Sequence, residues 1–415
     1  MRVLVLSNFY PPHSIGGYEQ HCRDVMDGLR ARGYEVEVLT STHGVGRCVR
    51  EGHVDRRLPA RWDPAYCAPS RRGLLAEERD ANQALRQAMA RFQPEAVSVW
   101  NMLGIPYSLV GTAQRSGRPV VLHIADNWPL RRDDPWLRVW SGAGRPWARL
   151  VKAAARPLVD RLVPTHIRFR ERGVHWAFIS KFLKQQHLSH GLAPDDAPVI
   201  YAGIPVERFQ GRDADGARSA LPLRLLFAGS ITPAKGVDVA VRALGHLVAR
   251  GCRDVTLSVL GYCPDRDFVD SLKRLAGEGG FADRVHFRGP VGREEMPAVY
   301  AAHDVLLFTS VAQEGFPLTI LEAMASGLAV VSSVTGGHGE ILEDGRNALT
   351  YPAGDAGELA GRIRILLDQP ALARRLAEAG RTMVRREHSL ERMVERYDRL
   401  FRDLMGASRW EEPAA

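Results

Sequence analysis

The stretch EGFPLTILEAMASGLAVVSS, residues 314–333, decides how this chain is read. Two carboxylates, Glu314 and Glu322, bracket a turn that enters a helix. The preceding run VLLFTS has the character of a buried strand, Gly315, Phe316 and Pro317 break it, and LTILEAMASG then carries apolar residues at helical spacing, with Pro317 suited to a first helical position. Backbone amides at such a helix start face an anion, and the dipole end there favours negative charge. A diphosphate needs those donors, and a sugar or ribose needs carboxylates that accept from paired hydroxyls. Glu314 in the loop and Glu322 in the helix suit a sugar and a ribose respectively. Two Glu eight positions apart are common on ordinary helices, as a cap and a solvated side chain. The strand before, the turn within and the strand LAVVSS after are what raise this pair above that background.

Outward from this stretch, apolar runs alternate with amphipathic helical segments, the pattern of α/β layering on parallel sheets. One series holds VLVLSNF, EVEVLTS, AVSVWN, PVVLHIAD, HWAFIS and PVIYAG; a second holds RLLFAGS, DVTLSVLG, RVHFRG, VLLFTS and LAVVSS. Between them IPVERFQGRDADGARSALP, residues 204–222, is polar and aperiodic and reads as a linker. HSLERMVERYDRLFRDLM, from residue 388, reads as one amphipathic helix. The expected division is therefore 1–204, 205–387 and a C-terminal helical segment 388–415. A length of 415 residues, 45% hydrophobic and 25% charged content fit a soluble globular protein of two or three domains. No stretch reaches the roughly 18 apolar residues of a membrane span. MRVLVLSNFYPP reads as a first buried strand rather than a leader, so a cytoplasmic location is expected. Cys22, Cys48, Cys67, Cys252 and Cys263 are odd in number and show no metal or redox spacing.

Residues 314–333, together with the following TGGHGEILEDGRNALTYPAGD and the opening of the linker, resemble the retaining glycosyltransferases of family four. That resemblance implies the GT-B fold: two Rossmann-like domains facing a central cleft, with the last helix crossing back to the first domain. It implies that Glu314 contacts sugar hydroxyls, that Gly315, Phe316, Pro317 and Leu318 present amides to the donor phosphates, and that Glu322 holds the ribose. FAGSITPAKGVDVAVRAL, from Phe227, supplies a strand, a loop with Gly229 and Ser230, and Lys235 at a helix start, where its ammonium can neutralise a leaving diphosphate. The family usually carries Gly-Arg at Gly229 and Ser230, so Ser230 removes one of two phosphate-binding cations.

In the first half, SNFYPPHSIGGYEQH resembles the family's Gly-Gly loop. Gly16 and Gly17 let the backbone approach donor phosphates, and Tyr18 begins a helix on the acceptor side. A plain strand-to-helix turn is the alternative, and the three-glycine dinucleotide spacing is absent. His123, near the end of the buried run PVVLHIAD, corresponds to a family residue that contacts the donor sugar; alone it reads equally as a core histidine. Asp126 either orients an acceptor hydroxyl or caps the next helix, and Trp128 lies beside it as an acceptor contact.

No resident cofactor or metal is expected. Asp213 with Asp215 falls in the linker and Asp265 with Asp267 opens a helix, neither being the strand-end loop a diphosphate-bound Mg²⁺ needs. The net charge of +8 calls for an anionic partner, and the nucleotide sugar is one. No nucleic-acid module accompanies the charge. Between residues 131 and 172 there are eleven Lys or Arg against four Asp or Glu, and five of the eight Trp fall between Trp128 and Trp176. WARLVKAAARPLVDRLV within this region reads as a basic amphipathic helix interrupted by Pro157. It suits peripheral docking on an anionic membrane face or, alternatively, an ordinary solvated face with its Trp in the core or an acceptor cleft.

The sequence thus points to a metal-independent retaining enzyme. It moves a sugar from a nucleotide diphosphate sugar to a hydroxyl of a glycan, lipid-linked sugar or secondary metabolite. A non-catalytic sugar-nucleotide binder and a GT-B epimerase are the alternatives, the second lacking an evident acid/base set. Donor sugar and acceptor are not legible, and residues 42–72 show no pattern.

Overall fold

The computed structural model describes residues 1–13, 16–61, 70–131, 134–140, 146–170, 173–209 and 222–408. The chain divides into two units, residues 1–200 together with the chain from Val394 onward, and residues 201–393. The linker residues 210–221, with Asp213 and Asp215, and also Cys67, lie outside the described residues.

In the first unit, β1 (Arg2–Leu6), β2 (Glu35–Ser41), β3 (Val49–Glu51), β4 (Val54–Leu58), β5 (Ala96–Val99), β6 (Val120–Ile124) and β7 (Val174–Phe178) form one sheet in the order β3-β4-β2-β1-β5-β6-β7. Its ladders are parallel except β3 on β4. Uninterrupted apolar runs such as Val3–Leu6 are fully buried because helices cover both faces of a parallel sheet. The strand order reverses between β1 and β5, so the loops after β1, β5 and β6 gather where such sheets place ligand sites.

In the second unit, β8 (Leu223–Ala228), β9 (Val255–Leu260), β10 (Val285–Arg288), β11 (Val305–Phe308), β12 (Ala329–Ser333) and β13 (Leu349–Tyr351) are all parallel, in the order β10-β9-β8-β11-β12-β13. Here the reversal lies between β8 and β11. The loops after those two strands carry Ser230 with Lys235, and Glu314.

Three details differ from the sequence reading. PVIYAG is not a strand: Ile200 N donates to Phe178 O at 2.8 Å, but Pro198 has no N–H to extend a ladder. The patternless stretch 42–72 contains β3 and β4. Within β4, Arg56 is 1% exposed and its guanidinium donates to the Tyr10 and Pro11 carbonyls at 3.1 and 3.0 Å, so a charged residue occupies an interior strand position. The helix Pro146–Leu162 runs through Pro157 without interruption.

The helix Leu390–Ser408 follows a short bridge in which Ile204 N donates to His388 O at 2.9 Å and Leu390 N to Ile204 O at 2.8 Å. From Val394 it belongs to the first unit. Tyr34 Oη donates to Asp398 Oδ1 at 2.6 Å, and Phe401 is wholly buried against the ring of Tyr34. A β-carbon at Gly28 would overlap Val394, so this helix requires glycine at position 28 to pack closely. Phe401→Ala should lower the unfolding free energy by about 3–5 kcal/mol, read by denaturant titration, because truncating a buried aromatic leaves a cavity.

Candidate functional site

In the second unit the loop after β11 is bonded to the loop after β8. Val311 N and Ala312 N donate to the Ala234 carbonyl at 3.0 and 3.1 Å, and Thr309 Oγ1 donates to Lys235 O at 2.9 Å. Gly236 takes a left-handed φ of 67°, and a β-carbon there would overlap the Thr309 carbonyl. These bonds place Lys235 Nζ 2.6 Å from Glu314 Oε1, which also accepts from Ser310 Oγ at 2.6 Å. From the loop after β12, Gly337 N donates to the Glu314 carbonyl at 3.0 Å, and a side chain at Gly336 would collide with the Glu314 backbone. Glu314 is therefore fixed from three loops. An ammonium has three protons, so Lys235 can keep Glu314 and still donate to an anion.

The helix after Glu314 spans Leu318–Ala325, and Pro317 stands at its N-cap rather than at the first helical position. No side chain caps this end, which leaves the dipole and first-turn amides as the local positive pole. Phe316, after Gly315 in this turn, is buried, stacked on His388 at 5.8 Å and tilted against Tyr201 at 5.4 Å. Glu322, half-buried on the same helix, accepts from Tyr300 Oη at 2.8 Å through Oε2. Burial and the Glu322 charge push the Tyr300 phenol well above its ordinary range, so it stays a donor. Gly229 and Ser230 are exposed. Their turn is fixed by Gly229 N donating to Leu260 O at 3.0 Å and by Gly261, at φ 150°, whose β-carbon would overlap the Gly229 carbonyl. His338 donates from Nε2 to Ser333 O at 2.8 Å, and burial lowers its pKa, so it is neutral beside the Lys235–Glu314 pair.

The first unit gathers its own set. Gly16 caps the helix Gly17–Ala31, its N–H donating to Glu19 Oε2 at 2.9 Å. Tyr18 Oη donates to the His123 carbonyl and accepts from Ala125 N at 3.3 Å, tying the helix to the end of β6. His123 is 1% exposed; its Nε2 meets Ser98 Oγ at 2.8 Å, Ser98 Oγ accepts from Trp100 Nε1 at 2.9 Å, and Trp100 stacks on the imidazole at 4.3 Å. Burial holds the imidazole well below its ordinary pKa, so it is neutral. Ser98 Oγ accepts the indole proton and can either donate to Nε2 or accept from it, and Nδ1, on the other side of the ring, is buried with no partner among the described residues. Tyr397, from the C-terminal helix, closes on the same ring at 5.2 Å. Asp126 Oδ1 accepts from Trp128 N at 3.0 Å, just before the turn Trp128–Leu130, whose N-cap is Asn127. Trp128 is wholly buried, edge-on to Tyr107 at 5.3 Å, so it supports this loop from beneath and offers no surface for an acceptor.

Ser310, Gly336, Tyr300 and Ser98 have no place in the sequence reading. Only the glycine pair in TGGHGE carried a visible signal, because the others act through partners remote in sequence. Among the described residues no group of three or more His, Cys, Asp or Glu could hold a metal ion. Asp265 caps the helix Arg266–Glu278, accepting from Asp267 N and Phe268 N at 3.0 and 3.3 Å.

Two family patterns match the chain in succession: "Glycosyltransferase Family 4" over residues 15–208 and "Glycosyl transferases group 1" over residues 222–369. A D-inositol 3-phosphate glycosyltransferase of Streptomyces avermitilis is 34% identical over 192 residues, which are 44% of this chain and 41% of the relative. The chain spans about half the length of the curated relatives it matches. A sucrose-phosphate synthase of Thermosynechococcus elongatus superposes with a TM-score of 0.71 at 21% identity, covering 98% of this chain and 99% of that one. HepE of Anabaena, in complex with UDP-glucose, superposes with a TM-score of 0.70 at 19% identity over 97% of this chain and 100% of its own. These likenesses give the chain the GT-B fold.

Burial pushes the Asp126 carboxyl up to about 6, opposed by the Trp128 amide and Arg131. Between its ordinary value near 3.8 and 6 the folded state keeps a proton that the unfolded chain has released, so this group's contribution to stability falls as pH rises through that window. Asp126→Asn should flatten that fall, read as denaturation midpoints at the two ends of the window.

Proposed function

Because the chain belongs to glycosyltransferase family 4, we propose that it transfers a sugar from a nucleotide diphosphate sugar to an acceptor hydroxyl, with retention of anomeric configuration and without a metal. The observation that carries this reading is the Lys235–Glu314 pair, 2.6 Å apart beside the uncapped start of the helix Leu318–Ala325. Lys235 and the helix amides stabilise the departing diphosphate, whose two charges make it a poor leaving group. Glu314 accepts from sugar hydroxyls and Glu322 from the ribose pair, Tyr300 holding the Glu322 carboxylate in place. In the first unit, the family resemblance assigns His123 to the donor sugar and the Gly16–Gly17 helix start to the donor phosphates. The acceptor oxygen bonds to the anomeric carbon as the bond to the diphosphate oxygen breaks, and the acceptor proton leaves on the diphosphate.

The test is a panel of nucleotide sugars, UDP-glucose included, assayed for nucleoside diphosphate release with and without hydroxyl acceptors. Release that depends on an acceptor supports the reading; none with any pair contradicts it. Glu322→Ala should weaken nucleoside diphosphate binding by about 1.5–3 kcal/mol in calorimetry, the worth of a charged acceptor to paired hydroxyls. Lys235→Ala should cost about 2–4 kcal/mol in transition-state stabilisation, read from kcat/KM. A chelator should leave turnover unchanged.

Ser230 favours a second reading, a sugar-nucleotide binder, since a serine hydroxyl cannot hold phosphate bidentately as an arginine does. Ser230→Arg decides between them. A gain in donor affinity or rate on an already active chain marks an uncompensated loss, whereas turnover that appears only in the variant marks the natural chain as a binder.

A further inference from the structure

The helix Pro146–Leu162 turns its polar side inward and its apolar side outward, the reverse of an ordinary surface helix. On the inward side, Asp160 accepts from Arg115 Nη2 at 2.6 Å and from Thr165 N and Oγ1 at 2.8 and 2.9 Å, and Arg156 Nε donates to Thr165 Oγ1 at 3.0 Å. Val159 and Val163 pack with Trp136 and Leu74 in a small satellite core, and Trp136 Nε1 donates to Pro164 O at 2.8 Å. The helix is thus held on the first unit from one side. On the other side Trp147, Leu150, Val151, Leu158 and Leu162 are 63, 74, 60, 67 and 55% exposed. At 100° per residue they fall within a stripe about 120° wide, with Ala154 inside it. Among the described residues only one other large apolar side chain, Tyr262 at 64%, is this open, and it does not lie on this helix.

We propose that this face is a membrane-docking surface that lies in the headgroup plane of an anionic lipid bilayer. The helix carries Arg149, Lys152, Arg156 and Arg161 against a single acid, Asp160, which Arg115 and Thr165 already occupy. By the same count Arg161 is exposed within the stripe, near its edge, while Arg149 is exposed on the face behind it. An apolar stripe with Arg161 at its edge, on a helix whose charges are nearly all cationic, matches acyl chains below and anionic headgroups around it. A second copy of the chain fits poorly, because two such helices face to face would set arginines against arginines with no free acid on either. Trp147, at the helix start, suits the interface level, whereas Trp128, Trp136 and Trp176 are committed to the core. No helix among the described residues is long and apolar enough to cross a membrane, so the contact is peripheral.

The experiment is sedimentation of the full chain with vesicles of phosphatidylcholine alone and of phosphatidylcholine with phosphatidylglycerol, at low and high salt. The chain should bind the anionic vesicles, and high salt should weaken that binding. Brominated lipid should quench tryptophan emission in the natural chain and much less in Trp147→Phe. The double change Leu150→Ser with Leu158→Ser should weaken partitioning by about tenfold or more while leaving the melting temperature unchanged, since both side chains are already exposed. Equal binding to neutral vesicles, no binding to anionic ones, or binding unmoved by the double change overturns the proposal. So does a concentration-dependent dimer, seen by light scattering, that the double change abolishes. These readouts do not involve sugar transfer, so they stand or fall apart from the proposed activity.

Discussion

The ion pair between Lys235 and Glu314 is the constraint on which the second unit's site depends. It joins the loops after β8 and β11, the two strands that flank the reversal in strand order, and it fixes the start of the segment that enters the helix Leu318–Ala325. Two glycines make it possible. Gly236 clears the Thr309 carbonyl, and Gly336 lets the loop after β12 close on the Glu314 backbone. The lysine is about one-third exposed and the glutamate mostly covered, so the pair contributes little to stability by itself. Its value is positional. It holds a cation where an anion can reach it and orients a carboxylate that would otherwise rotate freely.

The first unit uses aromatic packing for the same end. His123 is set by Ser98, Trp100 and the backbone bond from Tyr18, and Tyr397 on the C-terminal helix completes its surroundings. That helix is therefore part of the His123 environment as well as a cover for the core, since Phe401 lies beneath and Tyr397 against the ring. A neutral imidazole follows from this burial, which suits a hydrogen-bond donor better than a proton acceptor at neutral pH.

Parallel strands buried on both faces are written as unbroken apolar runs, so β1, β2, β5, β6, β7 and most of the second sheet were legible directly. β4 was not, because Arg56 is satisfied by partners that local sequence does not reveal, carbonyls about 45 positions away. PVIYAG misled for the opposite reason: its apolar content is real, but Pro198 interrupts the donors a ladder needs. At the site, the Glu314–Glu322 segment was visible because turn, helix start and carboxylates are contiguous. Tyr300, Ser310 and Ser98 reach Glu322, Glu314 and His123 only through contacts made by folding. Trp128 shows the limit of reading aromatics in a loop, since the same residue type serves an exposed cleft or a buried support.

Hydrogen–deuterium exchange of the full chain with and without a nucleoside diphosphate tests the location of the donor site most directly. The account predicts added protection in residues 229–237 and 314–322, where the Lys235 loop and the start of the Leu318 helix present their amides. Binding accompanied by protection elsewhere, with these two segments unchanged, would contradict it.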